Sequence, residues 1–92
     1  MRLHENQAKK EILRLVREGD VGLTAHAKSR MKERNLTTND VLNVLRAGAV
    51  SRVELDEKSA QWRYTVATER MGVVVVMSEA NLTVITAWRN ES

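Results

Sequence analysis

The chain has 92 residues and a mass near 10.4 kDa, so we predict a single domain over 1–92. It has no cysteine, which excludes disulfides and thiolate chemistry, and its two histidines cannot form a four-ligand zinc site by themselves. The formal net charge of +3 is uneven, since residues 1–50 carry +4 and residues 51–92 carry −1. A basic first half favours an anionic partner such as nucleic acid, and an ordinary solvated basic surface is the alternative.

Other classes of protein lack their sequence signals here. No apolar run reaches 18 residues and no signal-peptide pattern opens the chain, so we expect a cytoplasmic protein without a membrane segment. The sequence contains no glycine-rich phosphate loop, no paired-cysteine metal motif and no nucleophile elbow. We therefore expect neither a cofactor nor a metal ion.

The first half of the chain has the periodicity of amphipathic helices. Helices are predicted over 5–18, 24–35 and 38–47. Thr24 is suited to cap the second helix, and Thr37 with Asp40 resembles a capping box at the start of the third.

After Gly48 the apolar residues recur with a period of two. Strands are predicted over 50–55, 60–67, 72–78 and 82–89. Their short connections require antiparallel neighbours. We therefore predict an α+β fold, in which about three N-terminal helices pack on one face of a four-stranded antiparallel meander.

One helical segment carries the most distinctive polar pattern. His26, Arg30 and Arg34 are spaced i, i+4, i+8 and share a helix face, while Lys28 and Lys32 point toward solvent. Arginine forks bind phosphate oxygens, and histidine can act as an acid or base near neutral pH. The alternative is that the arginines brace the sheet and the histidine caps a loop, and the residue pattern alone favours that reading.

A second set of polar residues lies on the predicted strands. If Trp62 and Tyr64 of one strand, and Val84 and Trp88 of another, face the helices, then Arg63 and Arg89 lie on the open sheet face, where they would suit an RNA backbone. Ordinary solvated alternation is the plainer interpretation of each arginine. The opposite orientation would expose the two aromatic residues for base stacking, and Trp88 is expected in the core.

Three patterns together resemble a known bacterial family. They are His26-Ala27-x-x-Arg30-Met31-x-x-Arg34, Asp40-Val41-x-x-Val44-Leu45-x-x-Gly48 and Thr86-Ala87-Trp88-Arg89. They resemble the family of domains of unknown function numbered 4258. The layout over residues 8–89 is also similar to the MqsR-type mRNA interferase toxins, which belong with the RelE-like ribonucleases.

This resemblance implies a metal-independent endoribonuclease, usually encoded in a toxin–antitoxin operon. Such an enzyme cleaves single-stranded RNA, including mRNA on the ribosome, by attack of the ribose 2′-hydroxyl on the adjacent phosphate. The resemblance gives His26, Arg89 and Tyr64 as candidate catalytic residues. The candidate phosphate-binding residues are Arg30, Arg34, Arg63, Lys28 and Lys32. The MqsR-type pattern has Gln in place of Arg63 and Lys in place of Arg89.

Two other classes of function remain open at this point. One is a non-catalytic module, encoded on a mobile element, that binds nucleic acid or protein through the basic surface. The other is an assembly protein, because the end strands of an open sheet expose unpaired backbone groups. A second copy of the chain and a segment of an antitoxin protein would satisfy those groups equally well.

Overall fold

The structure, a computed structural model, describes residues 2–90 as three helices on one face of a five-stranded sheet. The elements in chain order are α1 (Glu5–Glu18), β1 (Asp20–Leu23), α2 (Ala25–Glu33), α3 (Thr38–Ala47), β2 (Ala49–Asp56), β3 (Gln61–Ala67), β4 (Met71–Met77) and β5 (Asn81–Arg89). The strand order is β1-β5-β4-β3-β2. The α+β class and the three helices are confirmed. Residue 1 and residues 91–92 of the predicted domain lie outside the described residues.

The prediction of four antiparallel strands is wrong, because β1 adds a fifth strand at the edge of the sheet. It pairs in parallel with β5, from Asp20 opposite Asn81 to Leu23 opposite Val84. Strands β2 to β5 form the predicted antiparallel meander. A four-residue strand that contains aspartate and glycine gives no readable period of two, and its partner lies about 60 residues further along the chain. The local sequence therefore could not show it.

The core lies between the helices and one face of the sheet. Ile12, Leu15 and Leu45 from the helices are fully buried against strand residues such as Val73 and Val84. Burying each such side chain stabilises the fold by about 1.5–3 kcal/mol.

The aromatic residues of β3 face this core, as predicted for the first of the two orientations. Tyr64 is buried, and its hydroxyl accepts a hydrogen bond of 3.0 Å from the Leu3 N–H. Trp62 is partly buried, and the Arg2 guanidinium lies 5.8 Å from the centre of its ring. Neither aromatic side chain is placed on the open face of the sheet.

A lysine from α1 caps the end of α3. The Lys9 Nζ donates hydrogen bonds to the carbonyl oxygens of Leu45 at 2.9 Å and Arg46 at 2.8 Å, and a third to Gly48. A cation at a helix C-terminus satisfies carbonyls that have no helical partner and interacts favourably with the helix dipole. Partial burial lowers the pKa of Lys9. This contact joins α1 to α3 at the edge of the core.

Strand β5 contains a bulge that changes which face its side chains occupy. Val75 lies opposite Val84, but the preceding Val74 lies opposite Thr86, so Ile85 has no partner in β4. An extra residue in one strand reverses the alternation of side chains beyond it. The predicted inward series along β5 therefore holds only as far as Val84.

Beyond the bulge, Trp88 and Arg89 occupy the faces opposite to those predicted. Ala87 is buried in the core, so Arg89, two residues later, lies on the helix side and Trp88 on the open face. The Trp88 ring lies over Gly72, where an added Cβ would come within 2.0 Å of its Cζ2 atom. The predictions of a core Trp88 and an open-face Arg89 are wrong, and the bulge is the physical reason.

We expect the substitution Gly72→Ala to destabilise the fold, because the new methyl group displaces the Trp88 ring. Overpacking of this kind costs about 1–3 kcal/mol in the free energy of unfolding. The matched control is Gly22→Ala, since no atom lies within 4 Å of a Cβ at Gly22. Urea unfolding measures both variants, and equal stability of the two would contradict the packing described for Trp88.

The capping box of α3 makes a pH-dependent contribution. The Asp40 carboxylate accepts a hydrogen bond of 2.8 Å from the Thr37 N–H, and the Thr37 hydroxyl accepts one of 3.1 Å from the Asp40 N–H, as predicted. These bonds with Thr37 lower the pKa of Asp40. Its carboxylate therefore stabilises the folded state above the pKa of an unfolded aspartate, and this contribution is lost as the pH falls through the folded pKa.

We accordingly expect the wild-type chain to be more stable than the Asp40→Asn variant at neutral pH, and the difference to shrink on acidification. Urea unfolding at a series of pH values between about 6 and 2.5 tests this, since an unfolded aspartate titrates near about 3.9. A difference that stayed constant over that range would show that the charge of Asp40 has no part in the cap.

Candidate nucleic-acid interface

Thr24 fixes the start of α2 against the bulge of β5. Its backbone N–H donates to the Val84 carbonyl at 3.1 Å, and its hydroxyl donates to the Ile85 carbonyl at 3.1 Å. The same hydroxyl accepts a hydrogen bond of 3.0 Å from the Ala27 N–H, which is the predicted N-cap. One side chain therefore begins the helix and attaches it to the strand.

The other end of α2 meets the end of β5. The Arg89 Nη2 donates to the Asn35 carbonyl at 3.3 Å. The nine residues of α2 span about 14 Å at 1.5 Å each, and four strand steps from Ile85 to Arg89 span about 13 Å at 3.3 Å each. The two similar lengths show that α2 runs alongside the second half of β5.

The predicted basic row lies on the outside of this helix. Ala27 and Met31 are buried against the sheet, whereas His26, Arg30 and Arg34 are exposed. Lys28 and Lys32 are also exposed. Helical rise places the backbone positions of residues 30 and 34 about 6 and 12 Å from residue 26 along the axis. Arg30 forms an ion pair of 3.2 Å with Glu33 of its own helix. That ion pair therefore does not connect the helix to the sheet, as the alternative interpretation of the arginines would require.

This short segment accounts for the net charge of the whole protein. Residues 25–34 contain four of the 15 Lys and Arg residues but only one of the 12 acidic residues. The segment therefore carries a formal charge of +3, equal to that of the chain, and the remainder is neutral. An excess of positive charge confined to one exposed helix creates a local potential that attracts polyanions.

Beyond the last turn of α2 lies a polar recess of about 410 Å³ lined by Glu33, Arg34, Asn35 and Arg89. Asn35 adopts a left-handed conformation with φ of 55°, which asparagine tolerates better than most residues and which ends the helix sharply. The two guanidinium groups of the recess can donate hydrogen bonds to phosphate oxygens, whereas the Glu33 carboxylate repels them and limits where a phosphate can lie.

Two of these four residues were missed by the sequence analysis. Asn35 just beyond a helical pattern is a recognisable C-terminal signal, and Glu33 stands three residues after Arg30, within reach on a helix. Their position beside Arg89 depends on the bulge in β5 and could not be read locally.

Arg89 also lies near the start of α3. Hydrogen bonds with Thr37 are the main cause of the lowered pKa of Asp40, and the positive charge of Arg89 lowers it further. Arg89 therefore bonds to the end of α2 and lies close enough to the capping box of α3 to interact with the charge of Asp40.

Two predicted site residues lie elsewhere in the fold. Tyr64 is buried on β3, two strands from β5 in the sheet, with its hydroxyl on Leu3. Arg63 is exposed on the open face, where it forms an ion pair of 3.0 Å with Asp56. The structure therefore brings Arg89 to the basic helix, but it places neither Tyr64 nor Arg63 beside His26.

The family of the chain follows from a comparison with protein-family models. The model described as Domain of unknown function (DUF4258) matches residues 23–89, which is more than two thirds of the chain. The chain belongs to the DUF4258 family. The DUF4258 region begins just before Thr24 and ends at Arg89, so it contains α2, the recess and the whole antiparallel meander. No curated protein and no solved structure gives a match to this chain.

Two further features of the described part of this DUF4258 domain bear on its surface. Within residues 2–90, no helix is long and apolar enough to cross a membrane. In the same stretch, no group of three or more His, Cys, Asp or Glu side chains is arranged to hold a metal ion.

The position of α2 is expected to depend on the Thr24 hydroxyl. Replacing Thr24 by Val removes the N-cap and the bond to Ile85 at little change in volume, and loss of such a cap costs about 0.5–2 kcal/mol. The Thr24→Ser variant keeps the hydroxyl and should stay close to the wild type. Urea unfolding compares the three proteins, and equal stability of the Val and Ser variants would show that the hydroxyl does not hold the helix.

Proposed function

We propose that this protein binds single-stranded RNA along α2 and cleaves it without a metal ion. The observation that carries the proposal is the confinement of the net charge of +3 to the exposed segment 25–34, next to the recess at Arg89. Cations on one exposed helix bind a phosphate backbone without reading its sequence. RNA is chosen as the ligand because the sequence patterns resemble those of the MqsR-type and RelE-like ribonucleases.

The order of residues along α2 suggests a division of roles. Arg30 follows His26 by one helical turn, so a phosphate bound by its guanidinium lies within reach of the imidazole. The recess with Arg34 and Arg89 lies a further turn away and holds a neighbouring phosphate. Lys28 and Lys32 add attraction for the backbone as it approaches.

The proposed cleavage is an internal transphosphorylation. The ribose 2′-oxygen attacks the adjacent phosphorus, the bond from phosphorus to the 5′-oxygen breaks, and a 2′,3′-cyclic phosphate and a free 5′-hydroxyl result. A base takes the proton of the 2′-hydroxyl, and an acid supplies one to the leaving oxygen. His26 is assigned this acid–base role, and Arg30 stabilises the charge that develops on the reacting phosphate, while Arg89 in the recess holds the neighbouring phosphate. The buried Tyr64 takes no part.

A second candidate function is RNA binding without cleavage. The observation that favours it is that Tyr64 is buried away from His26. Of the two predicted acid–base side chains, only His26 therefore lies on the basic helix, whereas cleavage needs both a base and an acid. A binding module needs only the cations of α2. In a toxin–antitoxin system either function would be controlled by an antitoxin protein, which we propose as a partner alongside RNA.

The cleavage proposal is tested with a 5′-labelled single-stranded RNA incubated with the protein in EDTA. We expect the His26→Ala variant to cleave about 10²- to 10⁴-fold more slowly than the wild type, the usual contribution of an acid–base group. The His4→Ala variant is the matched control, because His4 is the other histidine and is exposed at the start of α1. RNA with 2′-O-methyl groups should bind without being cut, because it has no attacking hydroxyl.

Equal rates for the two histidine variants would remove His26 from the mechanism. Binding of RNA by the wild type with no product would select the second candidate function. Products that carry a 3′-phosphate without a cyclic intermediate, or cleavage of the methylated RNA, would contradict attack by the 2′-hydroxyl.

Binding is tested separately with the double variant Arg30→Gln/Arg34→Gln. For single-stranded nucleic acid, the slope of log affinity against log salt is about −0.7 per phosphate contact, so losing two contacts makes it shallower by about 1.4. The control is Lys10→Gln/Arg17→Gln, which removes the same charge from exposed positions of α1. Equal slopes for the two double variants would show that net charge, and not α2, determines binding.

A further inference from the structure

The open face of the sheet carries one aromatic side chain next to the proposed RNA surface. Trp88 lies over Gly72 on that face and is partly exposed. Its neighbour Arg89 points to the opposite face and lines the recess at the end of α2. Two consecutive residues of β5 thus present an indole ring and a guanidinium group on either side of the same strand end.

The remainder of the open face is poorly suited to a large protein partner. Its charged side chains form ion pairs with each other, Arg63 with Asp56 at 3.0 Å and Arg52 with Glu54. Trp88 lies opposite Gly72, which lies opposite Ala67, so its own row in the sheet has only small side chains beside the indole, and the next row places Val74 between Thr86 and Thr65. Among the described residues, the large hydrophobic side chain that is most exposed is Leu55, which lies on the other face. A wide apolar interface is therefore not available there.

The end of the sheet beside Trp88 carries one cation and one carboxylate, from Arg70 and Glu69 of the same turn. Arg70 is exposed in the turn between β3 and β4, and its carbonyl accepts a hydrogen bond of 2.6 Å from the Asn90 N–H. This bond places the turn beside the end of β5, close to Trp88 and Arg89. A phosphate backbone that leaves the recess can therefore pass cationic residues as it rounds the strand end.

We infer that a base of the bound RNA stacks on Trp88, on the open face of the sheet. This inference rests on the proposed function and extends it from the phosphate backbone to the base. The indole is suited to this role because Gly72 leaves room for the ring to lie on the sheet, where packing restricts its motion before RNA binds. Aromatic side chains on a sheet surface stack bases of any sequence, since every base has a π-face.

The chain contains its own control for this inference. It has two tryptophans, and Trp62 lies on the helix side of the sheet with Arg2 over its ring. The Trp62→Phe variant leaves Trp88 as the sole tryptophan, and the Trp88→Phe variant leaves Trp62. With an uncleavable 2′-O-methyl oligonucleotide as the probe, we expect quenching of fluorescence in Trp62→Phe and no change in Trp88→Phe.

Affinity gives a second and independent measurement. Loss of one base–aromatic stack weakens binding by about 5- to 150-fold, so we expect Trp88→Leu to show a loss of this size, while Trp88→Phe keeps a ring and stays near the wild type. The control ligand is an abasic oligomer with the same number of phosphates. Its affinity should be the same for the wild type and Trp88→Leu, since it has no base to stack. Circular dichroism checks that each variant is folded under the conditions used.

The outcomes separate this inference from the proposed function. If the wild type binds RNA with the salt dependence given above, but the fluorescence of Trp88 is unchanged, the proposed function stands and the stacking inference fails. The inference also fails if Trp88→Leu weakens binding of the abasic oligomer as much as that of the complete one. If the wild type binds neither ligand, the proposed function fails and the inference fails with it.

Discussion

The hydroxyl of Thr24 makes the contact on which the arrangement of the proposed site depends. It accepts a hydrogen bond from the first turn of α2 and donates one to Ile85, the residue that the β4–β5 register leaves without a partner. Hydrophobic burial has no preferred direction, so a polar bond adds a defined direction to the packing of a helix on an apolar sheet surface. Thr24 supplies the fixed point, and the buried Ala27 and Met31 then orient the remaining turns.

The bulge at Ile85 determines what this fixed helix meets at its far end. Without the extra residue, strict alternation along β5 would place Trp88 in the core and Arg89 on the open face. With it, Arg89 reaches the Asn35 carbonyl on the helix side and Trp88 covers Gly72 on the other side. A single inserted residue therefore accounts for both the recess at the end of α2 and the exposed aromatic ring.

The features predicted correctly from the sequence are those that depend on nearby residues. The three helices and the box formed by Thr37 and Asp40 follow from periodicity and capping within a few positions. Strand β1 and the bulge depend instead on pairing with residues about 60 positions away or in the neighbouring strand. The basic row on α2 was therefore predictable, whereas Glu33 and Asn35 beside Arg89, and Trp88 on the open face, required the tertiary structure.

The end of β5 also matches the chemistry of a nucleotide in a way that α2 alone does not. A nucleotide carries a phosphate at one end and a base at the other, and these require a cation and an apolar surface, respectively. Consecutive residues of a strand have Cα atoms about 3.8 Å apart but project to opposite faces. Arg89 and Trp88 therefore present the two required groups at one strand end, on opposite faces of the sheet, without placing the indole in the charged recess. Because the strand ends there, a polynucleotide can contact both faces by passing round it, and the cations of α2 lead the phosphate backbone to that end.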